Sequence, residues 1–165
     1  MSEKLQFVPK KVTTLKKVLN MVWFILACLT IFGATVIHPV IFMVPAIGFT
    51  ILWVFQQFRS NIEYEYTYYD GELRFARIKN KANRKRIAVV NMDDVLAFAP
   101  KGDRSVYKYE NDRNMPYKDL TSGNPDAKVY ELVWKAEKAV TRFEIEPDDE
   151  ILDAIAVKYA RLVVR

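Results

Sequence analysis

The chain has one cysteine and one histidine in 165 residues, and neither has neighbours that would make it chemically useful. Cys28 alone rules out an intrachain disulfide, which fits a reducing compartment. His38 stands beside Pro39, and a single imidazole without carboxylate or thiol company makes a poor metal site. The five glycines are scattered singly, so no Gly-rich phosphate loop is present. Beyond residue 60 there is neither His nor Cys, which excludes Cys/His and Ser/His catalytic arrangements there. The most informative absence is charge. Val18–Ile37 contains no Asp, Glu, Lys or Arg, and after His38-Pro39 the run Val40–Phe58 is again uncharged.

At 1.5 Å per residue, each run forms a helix of roughly 30 Å, the thickness of a hydrocarbon core. Residues 18–58 therefore read as a transmembrane hairpin of two helices, 18–37 and 40–58, with a minimal connection. A cleaved signal peptide fits badly, because the apolar stretch is too long and a second one follows directly. Ile25-Leu26-Ala27-Cys28 faintly resembles a lipoprotein processing box, but the apolar run continues far beyond Cys28. Gly33 and Ala34, with Gly48, would let the two helices approach closely.

Charge is unevenly placed. Residues 1–60 carry six Lys/Arg against Glu3 alone, whereas residues 61–165 carry 19 Lys/Arg and 19 Asp/Glu. The net +5 thus belongs to the apolar segment and its flanks, and the neutral remainder argues against a nucleic-acid partner. Residues 1–17 read as a basic cytosolic tail. Lys16 and Lys17 on one flank, and Trp53 and Arg59 on the other, are candidate membrane-interface anchors. The connection at 38–39 lacks Lys and Arg while both outer flanks are basic, so the positive-inside rule places both termini in the cytoplasm. The expected location is the cell (plasma) membrane, with two passes.

Residues 61–165 suffice for one compact domain. Ile62–Tyr69 alternates as a half-buried strand, with Ile62, Tyr64, Tyr66 and Tyr68 on one face and Glu63, Glu65 and Thr67 on the other. Asp70-Gly71 is a strong hairpin signal, and Glu72–Ile78 returns with Leu73 and Phe75 on the tyrosine face. Glu63 and Glu65 with Arg74 are expected to make a solvated, salt-bridged surface. Lys79–Arg86 reads as a basic loop. Arg86–Val90 and Asp94–Ala99 are further strands, and 100–126 is a long polar loop with one short strand near Val106–Tyr109. Ala127–Lys135 and Ala139–Glu146 form a second hairpin across Ala136-Glu137-Lys138. Pro147 opens a helix whose first turn holds Asp148, Asp149 and Glu150. That helix carries an apolar stripe of Ile151, Leu152, Ile155, Ala156 and Tyr159. The three acids are explained by the helix start rather than by a cation site.

The order is a run of antiparallel strands closed by one amphipathic C-terminal helix, an α+β domain behind a membrane α-hairpin. The stretches IEYEYTYYDGELRFARI, KNKANRKRIAVV and NMDDVLAFAP resemble the start of bacterial pleckstrin-homology-like (PH-like) domains found behind membrane hairpins. The whole layout is similar to an uncharacterised family of two-pass membrane proteins from Gram-positive bacteria. The resemblance implies a PH-like fold, with no active site and no cofactor to carry over.

The chemistry left is binding rather than catalysis. Lys79, Lys81, Arg84, Lys85 and Arg86 form a basic segment expected to return to the membrane side of the domain and to contact anionic lipid headgroups. The alternative is a protein partner or self-association, through exposed strand edges and the 100–126 segment, with Tyr107, Tyr109, Met115 and Tyr117 as contacts.

Overall fold

The structure, a computed structural model, describes residues 3–112, 114–136 and 139–164; the side chains of Arg59 and Ser60 lie outside that description. The chain divides into two units, residues 11–62 and residues 1–10 with 63–165. The first unit is therefore inserted in the sequence of the second.

The inserted unit is a helical hairpin, α1 (Thr14–Val36) and α2 (Pro39–Ser60). Helix α1 begins four residues before the uncharged run, so Lys16 and Lys17 belong to its first turn. Pro39 takes the first helical position of α2, where its missing N–H costs nothing. Trp23 stacks on Phe49 at 5.9 Å between ring centroids, and Phe24 meets Trp53 at 5.4 Å. Gly33 allows close approach: a Cβ there would lie 2.7 Å from Phe42 Cδ1. Gly48 has no such neighbour, so only part of the small-residue expectation is met. Only 11% and 6% of the most apolar windows of α1 and α2 are buried. A core helix of a soluble protein would be mostly covered. Both helices are long and apolar enough to cross a membrane.

The second unit holds eight strands among the described residues. β1 (Lys4–Pro9), β2 (Ile62–Tyr69), β3 (Glu72–Lys79) and β4 (Asn83–Asn91) form one sheet in that order. β5 (Val95–Pro100), β6 (Tyr117–Asp119), β7 (Tyr130–Lys135) and β8 (Val140–Ile145) form another, in the order β5-β7-β8-β6. The pairs β1–β2, β3–β4, β5–β7 and β7–β8 are antiparallel; the three-residue β6 runs parallel to β8. Asp70 (φ 45°) and Gly71 (φ 84°) turn β2 into β3, as a two-residue turn with positive φ at both positions requires.

Tyr66, Leu73, Phe75, Phe98, Leu132, Phe143 and Ile145 are fully buried and form the core between the sheets. Phe75 stacks on Phe143 at 5.4 Å and receives the edge of Tyr66 at 5.5 Å. Helix α4 (Asp149–Tyr159) closes the core with Ile151, Leu152 and Ile155. Its cap is Asp148, whose carboxylate accepts from Ile151 N at 2.8 Å; Pro147 precedes the cap instead of opening the helix.

Three elements depart from the sequence reading. Lys4–Pro9, expected within a tail, is β1, paired with β2 from Lys4↔Tyr68 to Pro9↔Glu63. Arg84 and Lys85, expected in a loop before a strand at Arg86–Val90, already belong to β4, and the turn shrinks to Asn80–Ala82 with positive φ at Asn80 and Lys81. Val106–Tyr109, expected as a strand, lies in helix α3 (Arg104–Glu110). Asp103 caps α3 by accepting from Ser105 N at 2.8 Å, and Val106 packs against Ala97, Ala99 and Val133 on the outside of the second sheet. In the second hairpin, Glu137 and Lys138 of the expected turn lie outside the described residues.

Candidate functional site

Positive charge concentrates at one end of the first sheet. Pro9 and Glu63, next to the points where the chain leaves and re-enters this unit, are paired there. The β3–β4 turn lies at the same end, because β3 retraces β2 from the turn at Asp70-Gly71. Three of the five cations singled out from the sequence are on β4, Lys79 ends β3, and Lys81 lies in the turn between them.

The strand geometry splits those cations. A bulge after Phe75 resets the register, so that Ala76 faces Arg86, Arg77 faces Lys85 and Ile78 faces Arg84. By register Arg84 and Arg86 lie on the outer side with Arg74, bordering a cleft of about 340 Å³ that also includes Glu3 and Thr67, although Arg86 borders the core-side cleft as well. Lys85 projects on the side of the core, with Arg77. There Tyr64, Arg77, Lys85, Arg86, Lys118 and Asp119 line a second cleft, of about 390 Å³.

The outer side corrects one expectation. Glu65 is not a solvated surface acid: it is buried and takes its partners from Arg84 and Thr67. Arg74 pairs instead with Glu72, at 2.7 Å. One of the five cations, Arg84, is thus partly committed to a buried carboxylate, and its charge is less available to a ligand than that of Lys79, Lys81, Lys85 or Arg86. On the core side, Lys10 lies 3.7 Å from Asp119 and 5.6 Å from the Tyr64 ring centroid. Lys118 reaches back over the Phe143 ring at 5.6 Å.

Sequence reasoning missed Arg77 and Lys118. The signal for Arg77 was present, since it shares a strand face with Leu73 and Phe75, and a cation at an inward position is unusual. Lys118 had no local signal: a three-residue strand brings it there. Of the candidate interface anchors, Lys16 and Lys17 lie on α1, Trp53 is engaged with Phe24, and the side chain of Arg59 is outside the described residues.

A second polar cluster lies on the outer side of the second sheet, next to α3. Glu131 is fully buried and stands directly opposite Glu144 across the β7–β8 pair. Arg142 reaches Glu131 at 3.4 Å, and Lys101 reaches Glu144 at 2.7 Å. Burial pushes the Glu131 carboxyl up to about 7; Glu110 and Glu144 add to the rise, and Arg142 and Lys101 oppose it. Tyr117 rests on Arg142 at 4.8 Å. Burial and the neighbouring Glu144 carboxylate also hold the Tyr117 hydroxyl above its ordinary range.

No curated protein and no solved structure matches the chain. A family model does, described as "Bacterial PH-like domain (DUF6106)", over residues 5–165. The match includes β1 and the helical hairpin as well as the strands after it. Two apolar helices, antiparallel sheets and a closing C-terminal helix agree with that description, and the chain belongs to this family of bacterial PH-like domain proteins.

Proposed function

We propose that this chain is a two-pass membrane protein whose PH-like domain binds rather than catalyses, docking on anionic headgroups of the cytoplasmic leaflet. The supporting observation is the gathering of Lys79, Lys81, Lys85 and Arg86, with Arg84 partly neutralised, on the β3–β4 hairpin. Polybasic segments gain on the order of 1 kcal/mol per Lys or Arg near such a surface. The tether is short, since only Asn61 lies between α2 and β2. The cytoplasmic orientation is supported by the basic flanks of the hairpin and the uncharged connection at Ile37–Pro39.

Full-length protein in nanodiscs tests the docking. Amide exchange across residues 79–86 should slow when zwitterionic lipid is replaced by a mixture rich in anionic lipid, and high salt should reverse the slowing. Identical exchange in both lipids would refute docking. Orientation has its own test. In a Cys28→Ser chain carrying His38→Cys, an impermeant thiol reagent should label intact cells; labelling only after lysis would invert the topology.

A further inference from the structure

Arg77 and Lys85 are directly opposed across the β3–β4 pair. Like charges so placed repel and destabilise a sheet. Ordinarily an acid nearby relieves them, but here, among the described residues, the only carboxylate lining the cleft is Asp119. It is already engaged: its Oδ1 accepts from Thr121 N at 2.9 Å and from Thr121 Oγ1 at 2.6 Å, and Lys10 stands 3.7 Å from its Oδ2. Among the described residues, Arg77, Lys85 and Lys118 make no ion pair. With Arg86, which also lines it, four cations therefore converge on a cleft of about 390 Å³, within the size range of small-ligand sites. Arginine offers a planar fork that matches phosphate oxygens two at a time, and lysine adds a point charge. A phosphomonoester carries between one and two negative charges near neutral pH, more than a phosphodiester, and suits a site with this excess of cations.

We propose that the cleft between β3, β4 and β6 binds a phosphomonoester through Arg77, Lys85 and Lys118. Such a group is carried by a lipid headgroup or by a soluble phosphate. The proposal rests on the docking reading only for the lipid source, and it adds a discrete site to what would otherwise be diffuse attraction.

The test uses the full chain in non-ionic micelles. One arm titrates inorganic phosphate against chloride at matched ionic strength. The other adds phosphatidic acid, a monoester, or phosphatidylglycerol, a diester, at equal surface charge. The readouts are calorimetric binding and the shift in melting temperature. Saturable binding of inorganic phosphate supports a soluble source, and preference for phosphatidic acid over phosphatidylglycerol supports a lipid source. In either case Arg77→Gln and Lys85→Gln should each weaken binding by about tenfold or more, as loss of a hydrogen bond to a charged group does. In the phosphate arm Lys79→Gln and Lys81→Gln, on the turn, should change binding less than about twofold, as expected of surface charges outside the site, and in the lipid arm they should leave the preference for phosphatidic acid over phosphatidylglycerol unchanged.

Folding is controlled within the same experiment. Either Gln variant relieves the facing repulsion, so its ligand-free melting temperature should hold or rise. Equal response to the two lipids together with no phosphate binding would overturn the site while leaving diffuse docking intact. Binding insensitive to both Arg77→Gln and Lys85→Gln would also overturn it.

Discussion

A fragment of residues 61–165 is expected to fail to fold, whereas residues 1–10 joined directly to 63–165 by a short linker should give a soluble, cooperative domain. The reason is β1. It pairs along the exposed side of β2 in six register positions and buries Val8. It also fastens α4: Gln6 donates to Glu146 O at 2.8 Å and accepts from Asp148 N at 3.0 Å, and Lys4 reaches Glu150 at 3.0 Å. Burying a valine contributes about 2 kcal/mol, and the two Gln6 hydrogen bonds about 1 kcal/mol each. A loss of about 4 kcal/mol, before counting the ladder itself, is a large share of the 5–15 kcal/mol that holds a typical domain together. Removing β1 also bares the edge of β2, a template for aggregation. Because Pro9 and Glu63 are register partners, their Cα atoms are neighbours across the sheet, and about five Gly/Ser residues suffice to connect them. Circular dichroism and urea unfolding of the two proteins decide the matter. A fragment 61–165 as stable as the linked domain would show that β1 contributes nothing.

The linked domain should also lose stability as pH rises from about 4.5 to about 7, on the order of 2 kcal/mol, and Glu131→Gln should abolish that slope. The sign follows from the proton count. The folded carboxyl of Glu131 holds its proton up to about pH 7, against an ordinary value of 4.5. Between those values the folded state binds more protons than the unfolded one, so raising the pH favours unfolding. Above about 7 both states are ionised and this contribution stays flat. Glutamine has the same shape without the charge. The variant should therefore match the native protein near pH 4.5 and exceed it above pH 7. A native protein whose stability is flat or rising across this window, with Glu131→Gln parallel to it, would contradict a proton held on Glu131.

The parts of the fold that could be read from the sequence are those whose signal is local. The helical hairpin follows from an absence of charge, the β2–β3 hairpin from Asp70-Gly71, and α4 from its acidic start and apolar stripe. β1 was illegible for a physical reason. The side of β1 that binds the domain presents Lys4, Gln6 and Val8, while Leu5 and Phe7 face outward at 53% and 51% exposure. Its apolar alternation thus points the wrong way, and its partner strand lies beyond an inserted helical unit. α3 is seven residues long with one fully buried side chain, Val106, too few positions to establish a period. The Asp103-Arg104-Ser105 cap was its one readable sign. The basic segment reads as a loop because it holds five cations and no apolar alternation, yet an exposed edge strand has the same composition. Which side each cation faces depended on the bulge after Phe75, and no sequence pattern announces that.

The most direct test of the docking claim is co-sedimentation of the linked domain with anionic vesicles at low and physiological salt. The partner sample replaces Lys79, Lys81, Arg84, Lys85 and Arg86 by Gln. The account predicts that the native domain binds, that salt weakens the binding, and that the five replacements abolish it. A folded native domain that stays in the supernatant, or a replaced domain that sediments as well as the native one, would contradict it.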